Sequence, residues 1–330
     1  MNKKFLIWYH NEDNDGLFSA SIIKSYLIHE LNIPEKNIVL EGMTYFLFAE
    51  NYPDYDSLFS LRDEYTDIML TDVSFNDIKQ MKNIKELFGK NFVWFDHHKP
   101  VIDSSYKNNF DDIAGWRDSS RSAILNVYRY FYDPLDEKYQ SHTEPFLLRI
   151  LSAYDSWTYE KEKIKFDKAR NVNKGVTHYF DLDIELVSTF VDSLLYGGVD
   201  EKKYIAKFEK LGKQLNAYDD SLAKAQIRDY GDFGWTVNGR PAVMIMFQGP
   251  SGSQMFKTLQ GSDIKNGIVF KYMPTGKWNL SLYNVDRAGD TEFHCGNYLK
   301  TTYGGGGHAG AGGAVLSESM FKKMMKNKAL

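Results

Sequence analysis

The chain has 330 residues, which exceeds one typical domain and accommodates two. Hydrophobic residues make up 43% of the sequence and aromatic residues 15%, a composition that argues against a disordered protein. The formal net charge is −4, so the chain lacks the basic excess of proteins that bind long nucleic acids through many phosphates. A short anionic substrate in one local pocket is compatible with this charge.

Cysteine content and hydropathy bound the cellular setting. Cys295 is the one cysteine, which excludes an intramolecular disulfide and a thiolate metal cluster. The first apolar run covers only residues 5–9, too short for a secretory signal, and no later run reaches the roughly 18 apolar residues of a membrane span. We therefore predict a cytoplasmic protein without a membrane partner.

Three short apolar runs in the first hundred residues predict buried strands of a parallel sheet. They cover residues 5–9, 68–70 and 92–95, and acidic residues or histidine follow closely after each. Helix-like spacing over residues 16–30 predicts the first crossover helix. Because open parallel sheets bind ligands at the carboxyl ends of their strands, we expect the chemistry just beyond these runs.

The second half of the chain changes character twice. Apolar residues at helical spacing over 184–230 predict a helical connector. Strand-like runs follow at 242–247, 267–270 and 278–282. The predicted fold class is therefore α/β, with an N-terminal parallel-sheet domain over 1–183, a connector over 184–230 and a smaller C-terminal α/β domain over 231–330.

Four segments offer oxygen and nitrogen ligands for metal ions. Their acidic and histidine residues are His10, Asp13, Asp15, Asp72, Asp96, His97, His98 and Asp155. Carboxylates and imidazoles without a thiolate suit Mn²⁺, Mg²⁺ or a similar ion. Carboxylates that converge at strand ends repel one another unless cations neutralise them. Two ions roughly 3.5–4 Å apart would activate water and stabilise an in-line displacement at phosphorus.

Each of these segments also has a purely structural interpretation. The Asp-Asn-Asp-Gly sequence at 13–16 is typical of a turn, and Asp155 suits a helix cap. Residues 96–98 are compatible with a solvated loop. The coincidence of acids or histidines after all three predicted strands favours the metal site.

In order and character, these segments resemble the motifs of the DHH phosphoesterase superfamily, named after the Asp-His-His sequence found here at 96–98. Residues 303–315 begin with Tyr-Gly-Gly-Gly-Gly-His and look like the glycine-rich signature of the associated DHHA1 domain. The motifs thus extend over residues 10–315. The resemblance implies a DHH domain and a DHHA1 domain with an active-site cleft between them, as in the nanoRNase and oligoribonuclease-B-like members.

The resemblance also divides the candidate ligands between two divalent ions. The residues implied for the first ion are His10, Asp13 and Asp72. The residues implied for the second ion are Asp15, Asp72, His97 and Asp155. Asp72 would bridge the ions, which are expected to be Mn²⁺, with Mg²⁺ and Co²⁺ as alternatives. Asp96 would orient a ligand histidine, and His98 would lie near the scissile phosphate.

Substrate contacts are predicted mainly in the glycine-rich segment. Consecutive glycines let the main chain approach an anion closely, and the resemblance implies phosphate or nucleotide contacts from Gly305, Gly306, Gly307 and His308. A flexible linker or a tight turn is the commoner role of such a run. The arginine usual in the preceding strand of the family is replaced by Tyr283, and Arg287 is a candidate substitute.

Two further segments are weaker candidates for substrate binding. Arg121 and Ser122 open a predicted helix, so they offer a phosphate site at its N-terminus or, as the favoured interpretation, an N-cap. Ser253 follows the predicted strand 242–247 and is a similar candidate for contact with substrate.

The predicted function is hydrolysis of short oligonucleotides to nucleoside monophosphates by metal-activated hydroxide. A cyclic-dinucleotide or pAp phosphohydrolase is one alternative, and a RecJ-like exonuclease on single strands is another. A nucleotide-binding regulatory module is the alternative outside the enzymes, although no expected ligand is missing. The expected partner is a short oligonucleotide or small nucleotide, not long duplex nucleic acid, and a homodimer is compatible with the prediction.

Overall fold

A computed structural model describes most of the chain. The described residues are 3–44, 55–75, 78–99, 102–103, 107, 110, 112–132, 143–246, 253–286, 293–307 and 309–330. The chain forms two compact units, Met1–Leu215 and Asn216–Leu330. Among the described residues, no helix combines the length and the apolar character needed to cross a lipid bilayer.

The first unit contains a four-stranded parallel sheet with the order β2-β1-β3-β4. Its strands are β1 (Phe5–His10), β2 (Ile38–Met43), β3 (Asp67–Thr71) and β4 (Phe92–Phe95). Strands β1, β3 and β4 confirm the three predicted runs. Strand β2 was not predicted, because only Ile38 is buried in it and the strand carries Glu41 and Gly42 on the sheet edge.

Both faces of this sheet are covered, as the continuous apolar runs indicated. Every residue of β1 is buried. Side chains of a strand alternate between faces: Phe5, Ile7 and Tyr9 join one apolar core, whereas Leu6 and Trp8 join the other. The polar residues at the strand ends are thereby placed on a rigid, buried support.

The α-helices that begin in the first unit and whose bounds lie within the described residues number eight. They are α1 (Asn14–His29), α2 (Tyr55–Glu64), α3 (Ile78–Phe88), α4 (Ala123–Phe131), α5 (Phe146–Asp155), α6 (Phe166–Phe180), α7 (Ile184–Tyr196) and α8 (Glu201–Tyr230). Helix α1 confirms the predicted crossover helix. It packs in the larger core together with residues of α4, α5 and α7.

The predicted connector at 184–230 does not form a separate segment between the two compact units. Val187 and Val191 of α7 and Phe208 of α8 are buried in the core of the first unit, because α7 and the first part of α8 use their apolar faces there. The division between the units falls after Leu215, within α8.

The second unit contains a six-stranded mixed sheet with the order β5-β6-β7-β8-β10-β9. Its strands are β5 (Asp232–Val237), β6 (Arg240–Met246), β7 (Asn266–Tyr272), β8 (Trp278–Asn284), β9 (Gly306–Gly307) and β10 (Ala311–Leu316). Two helices accompany it, α9 (Cys295–Tyr303) and α10 (Glu318–Asn327). Strands β6, β7 and β8 confirm the three predicted runs, and the α/β class holds for both units.

Candidate metal centre

The candidate ligands lie at the carboxyl edge of the first sheet. His10 is the last residue of β1, Asp72 directly follows β3, and Asp96 directly follows β4. These three strands are neighbours and run parallel, so their ends meet at one edge, where open parallel sheets bind ligands. The strand order thus brings these three residues to one edge, and their roles at a metal site stay a prediction.

The segment after β1 serves both as a helix start and as a ligand set. Asp13 caps α1, because its Oδ1 accepts the amides of Asp15 at 3.0 Å and Gly16 at 3.1 Å. Its Oδ2 lies 3.1 Å from His10 Nδ1. A Cβ on Gly16 would lie 1.9 Å from the carbonyl oxygen of His10, so only glycine permits this close return of the helix onto the strand.

Asp72 has one carboxylate oxygen toward each candidate ligand set. Its Oδ2 lies 3.5 Å from His10 Nδ1, and its Oδ1 lies 3.3 Å from His97 Nε2. The residue has a left-handed backbone with φ 57°, a conformation that costs free energy for a non-glycine residue and is concentrated at functional sites. One oxygen of Asp72 thus faces each candidate ligand set, and its bridging role stays a prediction.

His97 lies at the centre of the second set. Its Nε2 is 3.2 Å from Asp155 Oδ2, 3.4 Å from Asp15 Oδ2 and 3.3 Å from Asp72 Oδ1. One ligand atom each from Asp15, His97 and Asp155 falls within 4.8 Å of the others, and the same holds for His10, Asp13 and Asp72. The fold thus brings all six predicted ligands together as two triplets around Asp72 and His97.

Main-chain amides from a distant helix hold Asp15. The amides of Ala123 and Ile124 donate to its two carboxylate oxygens at 2.8 and 2.9 Å. A carboxylate at a helix N-terminus is favourable, because it pairs with unsatisfied amides and with the helix dipole. Asp15 therefore occupies the N-terminus of α4 that the sequence suggested as a phosphate site.

The two residues proposed for that phosphate site have other contacts. Ser122 holds the N-cap position of α4, without a side-chain cap bond, and its amide donates to Ser152 Oγ at 3.0 Å. The guanidinium of Arg121 lies 2.8 Å from Asp118 and over the ring of Trp116. Substrate binding by Arg121 and Ser122 stays a prediction. The first amides of α4, which would bind a phosphate there, donate to Asp15.

Asp96 organises the Asp-His-His segment through one oxygen. Its Oδ1 accepts the amides of His97 at 2.7 Å and His98 at 2.9 Å, and it lies 2.9 Å from His98 Nδ1. The ring in contact with Asp96 thus belongs to His98, for which the sequence predicts a phosphate-facing role. Asp72, His97 and His98 also form a triplet with ligand geometry.

Burial and mutual repulsion shift the protonation of the acids. Burial, together with the negative charge of Asp72, raises the pKa of Asp15 to about 7. Burial and the charges of Asp15, Asp13 and Asp72 raise the pKa of Asp155 well above its ordinary value. Although burial opposes it, hydrogen bonds with His10 and His97 lower the pKa of Asp72.

The pKa values of the two histidines are raised, which favours their charged forms beside the acids. Burial acts to lower the pKa of His97, but the charge of Asp155 and a hydrogen bond with Asp72 raise it well above its ordinary value. Burial likewise acts to lower the pKa of His10, but the charge of Asp13 together with hydrogen bonds to Asp13, Asp72 and Glu12 raises it above its ordinary value. Without a metal ion, the centre therefore depends on protons to balance its buried acids.

These residues fit divalent cations on the chemistry of the donors. The set contains carboxylate oxygens and imidazole nitrogens, the ligands of Mn²⁺ and similar ions. Asp155 Oδ2 is buried and makes no hydrogen bond among the described residues, which is costly unless another partner, such as a cation, binds it. A cation at each triplet would replace the protons that the raised pKa values reflect.

The glycine-rich segment of the second unit has specific structural contacts. Gly304 ends α9 in a left-handed conformation with φ 70°, the usual glycine position after a helix. The amide of Gly305 donates to Leu299 O at 3.1 Å. Gly306 and Gly307 form β9 and pair with β10. The glycines therefore end a helix and begin a hairpin, and their contact with substrate stays a prediction.

Substrate contacts by three other residues, His308, Arg287 and Ser253, stay predictions. His308 and Arg287 lie outside the described residues. Ser253 begins a short 3₁₀ helix, Ser253–Leu259. Tyr283, which replaces the expected arginine, is buried in β8 and packs near Phe256.

Several residues around the centre were not identified from the sequence. Glu12 Oε2 lies 3.4 Å from His10 Nε2, although its side chain is largely exposed. Asn14 is buried and donates to Asn173 Oδ1 and Thr177 Oγ1, both at 2.8 Å, which ties the start of α1 to α6. Only the position of Glu12 and Asn14 within the first motif could have signalled these roles, since the partners of Asn14 are distant in sequence.

Comparisons with known proteins give a fold but no close relative. No family model matches the sequence, and no curated protein matches it. Among solved structures, the DHH domain of a member of a family of ribosomal proteins is 15% identical, with a TM-score of 0.63 over 99% of this chain and 86% of that one. RecJ from Thermus thermophilus, in complex with Mn²⁺, is 10% identical, with a TM-score of 0.51 over 99% of this chain and 51% of that one. The chain therefore has the fold of DHH-domain proteins.

Proposed function

We propose that the protein is a phosphodiesterase that uses two divalent cations to hydrolyse short oligonucleotides to nucleoside monophosphates. The observation that carries this proposal is the position of Asp72, with Oδ2 3.5 Å from His10 and Oδ1 3.3 Å from His97. A carboxylate shared in this way suits two closely spaced ions. His10, Asp13 and Asp72 would hold one ion, and Asp15, Asp72, His97 and Asp155 would hold the other.

The proposed ion is Mn²⁺, with Mg²⁺ and Co²⁺ as alternatives. RecJ of Thermus thermophilus is described in complex with Mn²⁺, and the donor set here, three to four oxygen or imidazole ligands for each ion, suits the same metal. Bound ions of this kind lower the pKa of water and neutralise charge on a phosphate.

The residues of the chain would supply orientation. Asp13 is fixed by the first amides of α1 and Asp15 by the first amides of α4, so neither carboxylate has to reorganise when substrate binds. With Nδ1 of His98 close to Asp96, Nε2 is the nitrogen with which His98 would contact a substrate phosphate. His98 would then contact that phosphate through Nε2, and Asp96 would keep its ring in position.

The charge of the chain supports a short substrate. A net charge of −4 does not provide the many phosphate contacts that hold a long strand. Binding would instead depend on the local centre and on residues beside it.

A panel of substrates tests the proposal. In Mn²⁺ we expect rapid release of mononucleotide from a linear dinucleotide, and slower turnover of pAp, a cyclic dinucleotide and a long single strand. Rapid cleavage of the long strand alone would replace the proposed substrate by a RecJ-like one. Tight nucleotide binding without any product would instead indicate a regulatory module.

A matched pair of variants tests the role of Asp72. Asp72→Ala should abolish dinucleotide hydrolysis. Asp67→Asn changes another buried aspartate at the opposite end of the same strand and should retain activity. Unchanged hydrolysis in Asp72→Ala would contradict the proposed two-ion centre.

A further inference from the structure

Beyond the metal centre, a tryptophan occupies an unfavourable backbone position beside a candidate ligand. Trp157 follows Asp155 by two residues and has φ 58°. Helix α5 ends at Asp155, and Ser156 is its C-cap. The position after the C-cap commonly adopts the left-handed conformation and is usually glycine. A bulky residue there is a true outlier.

The surrounding hydrogen bonds hold Trp157 in this conformation. The amide of Ser156 donates to Ser152 O at 2.9 Å, and the amide of Thr158 donates to Ala153 O at 3.0 Å. The second bond is the one that closes a glycine-type helix end. Ser156 Oγ lies 3.0 Å from Thr158 Oγ1, which ties the two sides of the turn together. The turn would therefore form at least as easily with glycine at residue 157, so the backbone does not require a tryptophan there.

The indole of Trp157 belongs to an accessible aromatic surface. Its side chain is 36% exposed. The ring of Phe166 lies 6.4 Å away at an angle of 24°, and Tyr154 lies 6.4 Å on from Phe166 at 27°. Phe166, at the start of α6, is thus stacked with both Trp157 and Tyr154 near the end of α5. Flat aromatic faces of this kind stack nucleobases without preference for one base.

Trp157 lies close along the chain to a candidate metal ligand. Two residues of extended chain span at most about 7 Å, so the backbone of Trp157 is within this distance of Asp155. The Oδ2 atom of Asp155 is 3.2 Å from His97 Nε2. A nucleotide with its phosphate at the centre could therefore place its base toward this aromatic surface.

We propose that Trp157 is a substrate-binding residue that stacks on a nucleobase of the oligonucleotide. This inference rests on the proposed function and deepens it, since it makes the base, in addition to the phosphate, a recognised part of the substrate. The unfavourable backbone of Trp157 is then retained because the side chain binds substrate.

Two substrates separate base recognition from phosphate chemistry. One is a dinucleotide, and the other is the same backbone with both bases removed, each hydrolysed in Mn²⁺. For Trp157→Leu we expect the KM of the dinucleotide to rise about tenfold, within the range measured for loss of one stacking contact. The kcat for the dinucleotide and the KM for the abasic backbone should both stay within about twofold of the wild type, a factor below 0.5 kcal/mol.

Three control variants make the test specific. Trp157→Phe retains a stacking face and should keep the KM for the dinucleotide within about threefold, since Phe also stacks bases. Trp157→Gly should raise the KM for the dinucleotide as Trp157→Leu does, and the turn should keep its backbone because glycine suits the left-handed position. Phe146→Leu alters an equally exposed ring, 36%, at the other end of α5 and should change neither constant.

The outcomes distinguish this inference from the proposed function. If wild-type protein does not hydrolyse the dinucleotide at all, the proposed function fails. If the wild type is active but Trp157→Leu leaves the KM unchanged, or raises the KM of the abasic backbone equally, stacking by Trp157 is overturned.

Discussion

The candidate metal centre of the first unit and the glycine-rich segment of the second unit both depend on close main-chain contacts. In the first unit, amides of α1 and α4 hold the carboxylates of Asp13 and Asp15. In the second unit, glycines at 304–307 let the main chain itself end a helix and pair with β10. The arrangement in the first unit fixes charged groups that can bind an ion. The contacts of the glycines in the second unit stabilise the fold.

This difference has a consequence for mutations. A change in the metal centre removes a charge or a ligand from a support that remains folded. A change in the glycine segment can add atoms where the main chain has no room. Activity should therefore be most sensitive at the first site, and stability at selected positions of the second.

The largest expected effect comes from separating the two ligand sets. His10→Ala and Asp155→Ala should each reduce the number of bound Mn²⁺ ions from two to one, because they remove a ligand of one triplet only. Each should lower kcat by roughly a thousandfold, which corresponds to about 4 kcal/mol of transition-state stabilisation. Equilibrium dialysis and steady-state kinetics measure the two quantities.

A histidine away from the centre serves as the control for this experiment. His29 contacts Asp192 and Tyr196, so His29→Ala should keep two ions and full activity. Binding of a single ion by the wild type, or loss of both ions in each variant, would show that the triplets do not act as separate sites.

The second expected effect is on stability against pH in the absence of metal. The raised pKa of Asp15, about 7, means that its protonated form stabilises the fold below about pH 4 and that this stability is lost as pH rises toward 7. The raised pKa values of His10 and His97 act in the same direction above about pH 6.5. The lowered pKa of Asp72 has no effect above about pH 4.

The free energy of unfolding without metal should consequently fall between pH 5 and pH 8, by on the order of 3 kcal/mol if Asp15 dominates. Added Mn²⁺ should reverse this trend, since metal binding displaces protons and strengthens with pH. Urea denaturation with EDTA and with Mn²⁺ measures both curves. In Asp15→Asn the metal-free slope should be shallower; an equal slope would exclude Asp15 as its source.

The sequence indicates the candidate ligands, but not the main-chain and side-chain contacts that hold them in place. Apolar runs and the residues after them reveal β1, β3, β4 and the candidate ligands at their ends, because burial and strand direction are local properties. Strand β2 lacks such a run. The bond from Ala123 to Asp15 joins residues 108 positions apart, and no local pattern encodes it. The contact of Asp96 with the ring of His98 is equally a matter of side-chain conformation.

The third expected effect concerns Gly305 in the second unit. A Cβ at this position would lie 2.1 Å from the carbonyl oxygen of Gly313, so Gly305→Ala must displace the main chain. We expect a loss of about 2 kcal/mol in the free energy of unfolding, comparable with overpacking a core. Denaturation of the Mn²⁺-loaded protein measures it. Unchanged stability would mean that the β9–β10 hairpin accommodates the added methyl group without cost.

The smallest expected effect is on its neighbour Gly306, where no atom lies within 4 Å of an added Cβ. Gly306→Ala should change the free energy of unfolding by less than about 0.5 kcal/mol, as surface substitutions usually do. If the glycine segment also approaches the substrate phosphate, the new methyl group should raise the KM of a dinucleotide about threefold with little change in kcat, because it would weaken ground-state and transition-state binding equally. An unchanged KM would indicate that Gly306 serves the hairpin alone. Together with Gly305→Ala, this variant separates a glycine that the fold requires from one that is available for binding.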